Sequence, residues 1–339
     1  MSDERRVILV TGCPRSGTTP VGTNLSLAAG ARYLYEPFNP NFGLRTISRF
    51  YEVPGANDFP DARFDACVDA IRRVRLDLKR FDYPRERGLR RIVKRVIGSR
   101  SHMAYRLCRL DWTLRTVIWK DPTACFASAA AVDRHGIPVV VTVRPAAAVA
   151  ASYKRMQWDS SVSQVLDSLA QIGITYPHLV AEFGPHQGNQ AVGAAMLWWV
   201  VYTTLLDWAE SRPQMYFFDL QRSIERPEDS YRALYDRLGL AFTDAVGEKL
   251  RRTYASDGHK PASPAEKLPQ RAHVTDRSLS DVNTYGRKLL SAEEADLIEA
   301  MTAALWRRLQ SACISAEAAA PAADDAARAV GASMPTLAH

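Results

Sequence analysis

Val7-Ile8-Leu9-Val10-Thr11-Gly12-Cys13-Pro14-Arg15-Ser16-Gly17-Thr18-Thr19 joins four aliphatic residues to a turn punctuated by two glycines. Residues 7–10 read as a short buried strand. Residues 12–17 break any regular pattern, and from Thr18 onward apolar residues return at helical spacing. A strand, a turn and a helix in that order build an anion cradle. Glycines let successive N–H groups point inward, and the new helix offers unpaired N–H groups and the positive end of its dipole. Gly12 and Gly17 have the spacing of a phosphate loop of the form G-x-x-x-x-G-K-[ST], but Thr18 stands where the lysine belongs. Arg15, inside the loop, supplies the positive charge instead. The stretch reads as a phosphate loop built for something other than Mg-ATP.

Downstream the chain alternates strand with helix. Residues 31–35 read as an extended segment that delivers Glu36 into a turn at Pro37, and Pro37 is expected to hold Glu36 extended. Residues 116–119 form a strand ending at Lys120-Asp121-Pro122, followed by a helix over about 123–134. Residues 139–143 form the clearest buried strand, ended by Arg144-Pro145 and a helix over AAAVAASYKRM. Residues 215–220 read as another strand, and helices are expected over 162–172, 188–210, 228–238 and 292–309. The fold class is therefore α/β: a three-layer α/β/α domain with a central parallel sheet, spanning 1–315. Residues 41–115 form a basic helical insertion, and the Ala-rich residues 316–339 have too little to bury and are expected to be disordered.

Charge at the end of the 139–143 strand discriminates between loop chemistries. An NTPase commonly places an aspartate there to hold Mg²⁺. Arg144 does the opposite, attracting phosphate and repelling metal. The 339-residue chain is 47% hydrophobic and 24% charged, ordinary for a globular protein, and its net charge of +7 suits anionic partners. Five scattered cysteines argue against a disulfide framework or a zinc site and fit a reducing, cytoplasmic setting, and MSDERR is not a signal peptide. Phe183 to Leu206 is the longest uncharged run, but polar residues dilute its start and leave less than the ~20 apolar residues a membrane span needs. A buried helix is expected, with no transmembrane segment.

Residues 71–109 carry fourteen Lys and Arg against three acids, a net +11 that exceeds the excess of the whole chain. Phe64, Val68, Ile71, Val74 and Leu78 fall on one helical face, as do Leu89, Ile92, Val93 and Val96 on a second. Basic faces of this kind solvate a helix, dock it on anionic lipid or guide an anionic acceptor. Residues 64–100 are the expected site of any peripheral membrane contact. No nucleic-acid motif accompanies the arginines.

Cys13-Pro14-Arg15-Ser16-Gly17-Thr18-Thr19 resembles the 5′-phosphosulfate loop of sulfotransferases that use 3′-phosphoadenylyl sulfate (PAPS). Arg144 and Ser152 resemble the pair that grips the 3′-phosphate in that family, although Arg144-Pro145-Ala146 replaces its usual Arg-Asp-Pro. Tyr35-Glu36-Pro37 resembles the Glu-Pro segment of carbohydrate sulfotransferases, and Phe217-Phe218-Asp219-Leu220 a structural strand of the family. The resemblance implies sulfuryl transfer from PAPS to an acceptor hydroxyl without a metal. Nucleotide would be held by Gly12, Cys13, Pro14, Arg15, Ser16, Gly17, Thr18, Thr19, Arg144 and Ser152. Glu36 would be the general base, and Arg15 and Lys120 would stabilise the transferring group. Asp121, His102, His135 and His273 stand as alternative bases. A long loop over 255–283 would close over nucleotide, with Arg271, His273, Arg277, Arg287 and Lys288 as candidates; Tyr285-Gly286-Arg287-Lys288 resembles the family's C-terminal Trp-Arg/Lys segment. The Glu-Pro segment points to a carbohydrate or glycoconjugate among small-molecule and glycan acceptors, and the basic helices to an anionic or lipid-linked one, with a phenol, a lipid or a natural-product scaffold as open alternatives. A P-loop kinase acting on a small molecule, or a non-catalytic nucleotide- or glycan-binding module, are the competing readings.

Overall fold

Alternate residues of the strands enter two separate cores, which is what a sheet covered on both faces requires. The computed structural model describes residues 4–79, 100–257 and 289–314. In chain order these form β1 (Arg6–Thr11), α1 (Thr18–Leu25), β2 (Ala31–Tyr35), α2 (Asp61–Arg72), α3 (Arg100–Leu110) and β3 (Thr116–Lys120). A 3₁₀ turn (Pro122–Ala127) then runs into α4 (Ser128–His135), followed by β4 (Val139–Val143), α5 (Ala146–Met156), α6 (Val162–Ala170), α7 (Pro177–Phe183) and α8 (Gln190–Ala209). The last elements are β5 (Met215–Asp219), α9 (Leu220–Glu225), α10 (Pro227–Arg237), α11 (Asp244–Asp257) and α12 (Ala292–Ala312). The sheet is wholly parallel in the order β2-β3-β1-β4-β5.

Ile8, Val10, Ile118, Val140 and Phe218 point to one face, where Val21 and Leu25 of α1, Tyr231, Leu234 and Tyr235 of α10 and Leu250 of α11 cover them. Val7, Leu9, Val117, Trp119, Val139, Val141 and Val143 point to the other, against α2, α5, α8 and α12. Helix α8 is buried from Ala191 to Trp198 and again from Val200 to Leu206, and it packs against α5 and α12. Its length and hydropathy suit a membrane span, but its surroundings are those of a core helix.

Several boundaries depart from the sequence expectation. Helix α2 stops at Arg72, and Val74 turns the chain at φ 50°, so Val74 and Leu78 are buried from a loop rather than from the same helical face. The helix expected from Thr123 begins as a 3₁₀ turn, with Ala124 at its kink. Helix α11 continues through Asp257 and takes the place of the first residues of the loop expected over 255–283. The helical face at 89–96, the rest of that loop with Arg271, His273 and Arg277, the segment carrying Arg287 and Lys288, and the tail at 316–339 lie outside the described residues.

Asp121 fastens the end of β3 to the turn after β2. Its Oδ1 accepts from the N–H (3.1 Å) and hydroxyl (2.7 Å) of Thr123, capping the 3₁₀ turn. Its Oδ2 accepts from Phe38 N–H at 2.5 Å and from Trp119 Nε1 at 3.4 Å. Burial first, and then the negative charge of Glu36, push this carboxyl up to about 6. Between the ordinary value of ~3.9 and about 6, the folded chain keeps a proton that the unfolded chain has released, so this contribution to stability fades as pH rises through that window. Asp121→Ala leaves buried donors without an acceptor and should cost ~2–4 kcal/mol of unfolding free energy in urea titrations. The gap between parent and variant should narrow as pH rises from about 4 to about 6; a gap that widens would contradict this role.

Candidate active site

Strand order places a crevice between β1 and β4. The chain leaves β1 towards β2 on one side of the sheet and leaves β4 towards β5 on the other, so the connections part at their carboxyl ends. Ligands of open α/β sheets bind at such switch points. The loop after β1 and Arg144 after β4 both stand there. Gly12 sits at φ 135°, and a Cβ on it would lie 2.5 Å from the Thr142 carbonyl oxygen. Gly17, at φ 98°, is the N-cap of α1, and its missing Cβ makes room for Leu220, whose Cδ2 it would meet at 2.3 Å. Both glycines are required by conformation and by space. Ser16 Oγ bonds to Thr142 Oγ1 (2.7 Å), which donates to the Thr11 carbonyl (3.0 Å), locking the loop to β4. As its N-cap, Gly17 gives α1 no side-chain cap, so the first N–H groups of the helix face the crevice.

Two arginines meet at this loop. Arg15 takes the left-handed conformation (φ 74°), its Nε donates to Ser152 Oγ at 2.9 Å, and its guanidinium lies 5.9 Å from the centre of the Trp158 ring. Arg144 is buried and donates to the Arg15 carbonyl at 3.1 Å. Burial, and then the charge of Arg15 with that of Arg155 added, push Arg144 down to about 10. Ser152 was expected beside Arg144; the structure joins the two through Arg15. Helix α8 braces the β4 end from below, with Trp198 Nε1 donating to the Arg144 carbonyl (2.8 Å) and Tyr202 OH to that of Thr142 (2.6 Å).

The second half of the site lies across β1 at the ends of β2 and β3. Lys120 pairs with Val10 in register, just before the loop, and opposite Tyr35. Its ammonium is bonded to Glu36 Oε1 and lies 4.4 Å from the centre of the Tyr35 ring. Glu36 Oε2 accepts from Asn39 Nδ2 at 2.8 Å. Glu36 is not extended, as Pro37 had suggested, but left-handed at φ 46°. Its N–H donates to the Lys120 carbonyl (2.8 Å) and its carbonyl accepts from Asn39 N–H (3.2 Å), so the turn closes on itself and outweighs the preference of a residue preceding proline.

The structure thus brings Gly12, Arg15, Ser16, Gly17, Arg144 and Ser152 into one cradle, with Cys13 and Pro14 buried beneath its rim and Thr18 and Thr19 opening α1. Glu36 and Lys120 form a buried pair, which commits the ammonium to the carboxylate. Asp121, named as an alternative base, is a fully buried cap with both oxygens hydrogen-bonded. His135 is bonded to Asp65 (2.8 Å) ahead of β4, at the opposite edge of the sheet. His102 lies on α3, and His273 is outside the described residues. Asp219 caps α9 through Gln221 N–H at 2.8 Å, the structural role expected of its segment. Asn39, Thr142, Trp158 and Arg155 belong to the site and were not read from sequence; only Asn39, three residues past Glu36 in one turn, left a local signal.

Comparison with protein-family models gave no match, and comparison with curated proteins gave none. Among solved structures, the chain is similar to sulfotransferase STF9 from Mycobacterium avium, at 13% identity and a TM-score of 0.43 over 91% of this chain and 77% of that one. It is similar also to the sulfotransferase domain from the curacin biosynthetic pathway, at 12% identity and a TM-score of 0.42 over 89% of this chain and 99% of that one.

An anion that binds the folded chain raises its stability, and the arginine that holds the anion carries that gain. Arg144→Gln should abolish the upward shift in melting temperature that 3′,5′-ADP produces in scanning calorimetry. A variant that melts lower and keeps the full shift would show that Arg144 serves the fold and not the ligand.

Proposed function

We propose that the chain is a sulfotransferase that moves a sulfuryl group from PAPS to an acceptor hydroxyl and releases 3′,5′-ADP. The observation that carries this reading is the meeting of Arg15 and Arg144 at the β1–β4 crevice, where Arg144 donates to the Arg15 carbonyl. The strand end that would carry a metal-binding carboxylate in an Mg-dependent NTPase carries a buried cation here. The residues present fit a bis-anionic nucleotide. Gly12 and Gly17, at φ 135° and 98°, let the loop take the conformation that packs it against Thr142 and Leu220. The α1 N-terminus suits the 5′-phosphosulfate, and Arg144 with the Arg15–Ser152 pair suits the 3′-phosphate.

When bound, PAPS supplies the sulfuryl group on an already activated anhydride. The chain's own part is then placement and charge stabilisation, by analogy with phosphoryl transfer. The loop amides and the N-terminus of α1 bear the charge on the leaving phosphate. Glu36, oriented by Lys120 on one oxygen and Asn39 on the other, retains lone pairs to accept the acceptor's proton. Lys120 acts on that carboxylate. The Glu36-Pro37 turn supports a carbohydrate or glycoconjugate as acceptor.

Labelled PAPS incubated with sugar, phenol and lipid-linked alcohols in EDTA tests the reading through acceptor-dependent release of 3′,5′-ADP. Glu36→Gln should lower turnover ~10²–10⁴-fold while 3′,5′-ADP affinity is kept. That substitution also leaves a buried ammonium without its counter-ion, at ~3–5 kcal/mol. The E36Q/K120M double variant should therefore recover stability and not turnover. Parental turnover in either variant would remove Glu36 from the mechanism.

A further inference from the structure

Helix α3 carries an apolar stripe on the side that faces away from the protein. Its inner side is fixed to the edge strand β2, with Ser101 and Cys108 buried and the Cys108 thiol 3.7 Å from the Tyr33 carbonyl. On the outer side, Met103, Leu107 and Leu110 are 48%, 55% and 79% exposed, and Trp112, just past the helix, is 94% exposed. These are four of the five large hydrophobic residues exposed among the described residues, so the apolar surface is gathered here instead of scattered.

Positions 103, 107 and 110 fall within about 60° of one another on a helix of 3.6 residues per turn. On the same wheel Arg100 borders the stripe on one side, and Arg106 followed by Arg109 on the other. No acidic residue lies on the helix, since its sequence is RSHMAYRLCRL. Asp111 beyond its end is neutralised by Arg32 at 2.6 Å and caps Thr113 N–H at 2.8 Å. An apolar stripe between arginines, closed by an exposed tryptophan, matches the layers of an anionic bilayer surface. The apolar side chains reach the acyl boundary, the guanidiniums meet lipid phosphates and the indole sits between them. A protein partner would need an acidic rim around an apolar ridge, whereas an anionic bilayer supplies both layers at once.

We propose that α3, with Trp112, is a peripheral docking surface for anionic membranes. The surface lies at 100–112, at the C-terminal end of the basic stretch over 64–100 on which a membrane contact was expected. Strand β2, on which α3 rests, ends at Tyr35, one residue before Glu36. Docking through α3 therefore holds the acceptor end of the site near the bilayer, where a lipid-linked hydroxyl would be presented. The inference concerns binding alone and stands apart from the sulfuryl-transfer reading.

Flotation of the full chain with vesicles of phosphatidylcholine, with and without phosphatidylglycerol, tests it. The parent should float with phosphatidylglycerol-containing vesicles, less so as salt rises, and not with phosphatidylcholine alone. M103S/L107S/L110S and R106Q/R109Q change exposed side chains, so both should keep the parental melting curve; each should lose about tenfold or more in vesicle partitioning. No flotation of the parent, or equal flotation of parent and variants, would overturn the proposal. So would a parental dimer in light scattering that the serine variant dissociates, since the stripe would then join two copies of the chain.

Discussion

Two guanidinium groups forced together at the end of a parallel sheet shape the rest of this molecule. Arg144 is buried, donates to the backbone of Arg15, and is pushed down to about 10 by burial and by Arg15's own charge. Strongly perturbed charged groups of this kind cluster at functional sites. The surrounding architecture keeps the two in place. Thr142 and Ser16 lock the loop to β4, Ser152 holds the Arg15 side chain, and Trp198 and Tyr202 fasten β4 to the buried helix α8. The cradle is thereby built before any anion arrives, so little ordering remains to be done on binding.

The second half of the site follows a different rule. Glu36 and Lys120 are buried as a pair, a balance in which each is costly without the other. Asn39 and the Tyr35 ring complete their surroundings, and Asp121 ties the same turn to β3. A positive half next to the loop and a neutral, hydrogen-bonded half thus stand side by side. Because β1 and β3 are register neighbours, Val10 beside Lys120, the two halves share a wall.

Much of this was legible in sequence because it rests on local signals. The strands at 31–35 and 139–143 coincide with β2 and β4, since buried parallel strands are short runs of apolar residues bounded by breakers. The positions of Arg15 and Arg144 at the carboxyl ends of β1 and β4 were legible because breakers mark where those apolar runs stop. Long-range pairing was not legible. Asp121 looked like a spare base, and only the arrival of Phe38 N–H and Trp119 Nε1 from other positions shows it to be a cap. Glu36 was expected to be extended, because its conformation is set by hydrogen bonds to Lys120 and Asn39 that a dipeptide rule does not contain. Arg155 and Trp158 carried no signal of their own, and reach the site only through the end of α5 and the turn after it.

The central claim is that this crevice recognises a nucleotide by its 3′-phosphate, through arginines and without a metal. Titration calorimetry of 3′,5′-ADP, 5′-AMP and Mg-ATP, each with and without EDTA, tests it most directly. The account predicts that 3′,5′-ADP binds far more tightly than 5′-AMP and equally well in EDTA. Preference for Mg-ATP, or equal binding of 3′,5′-ADP and 5′-AMP, would contradict it.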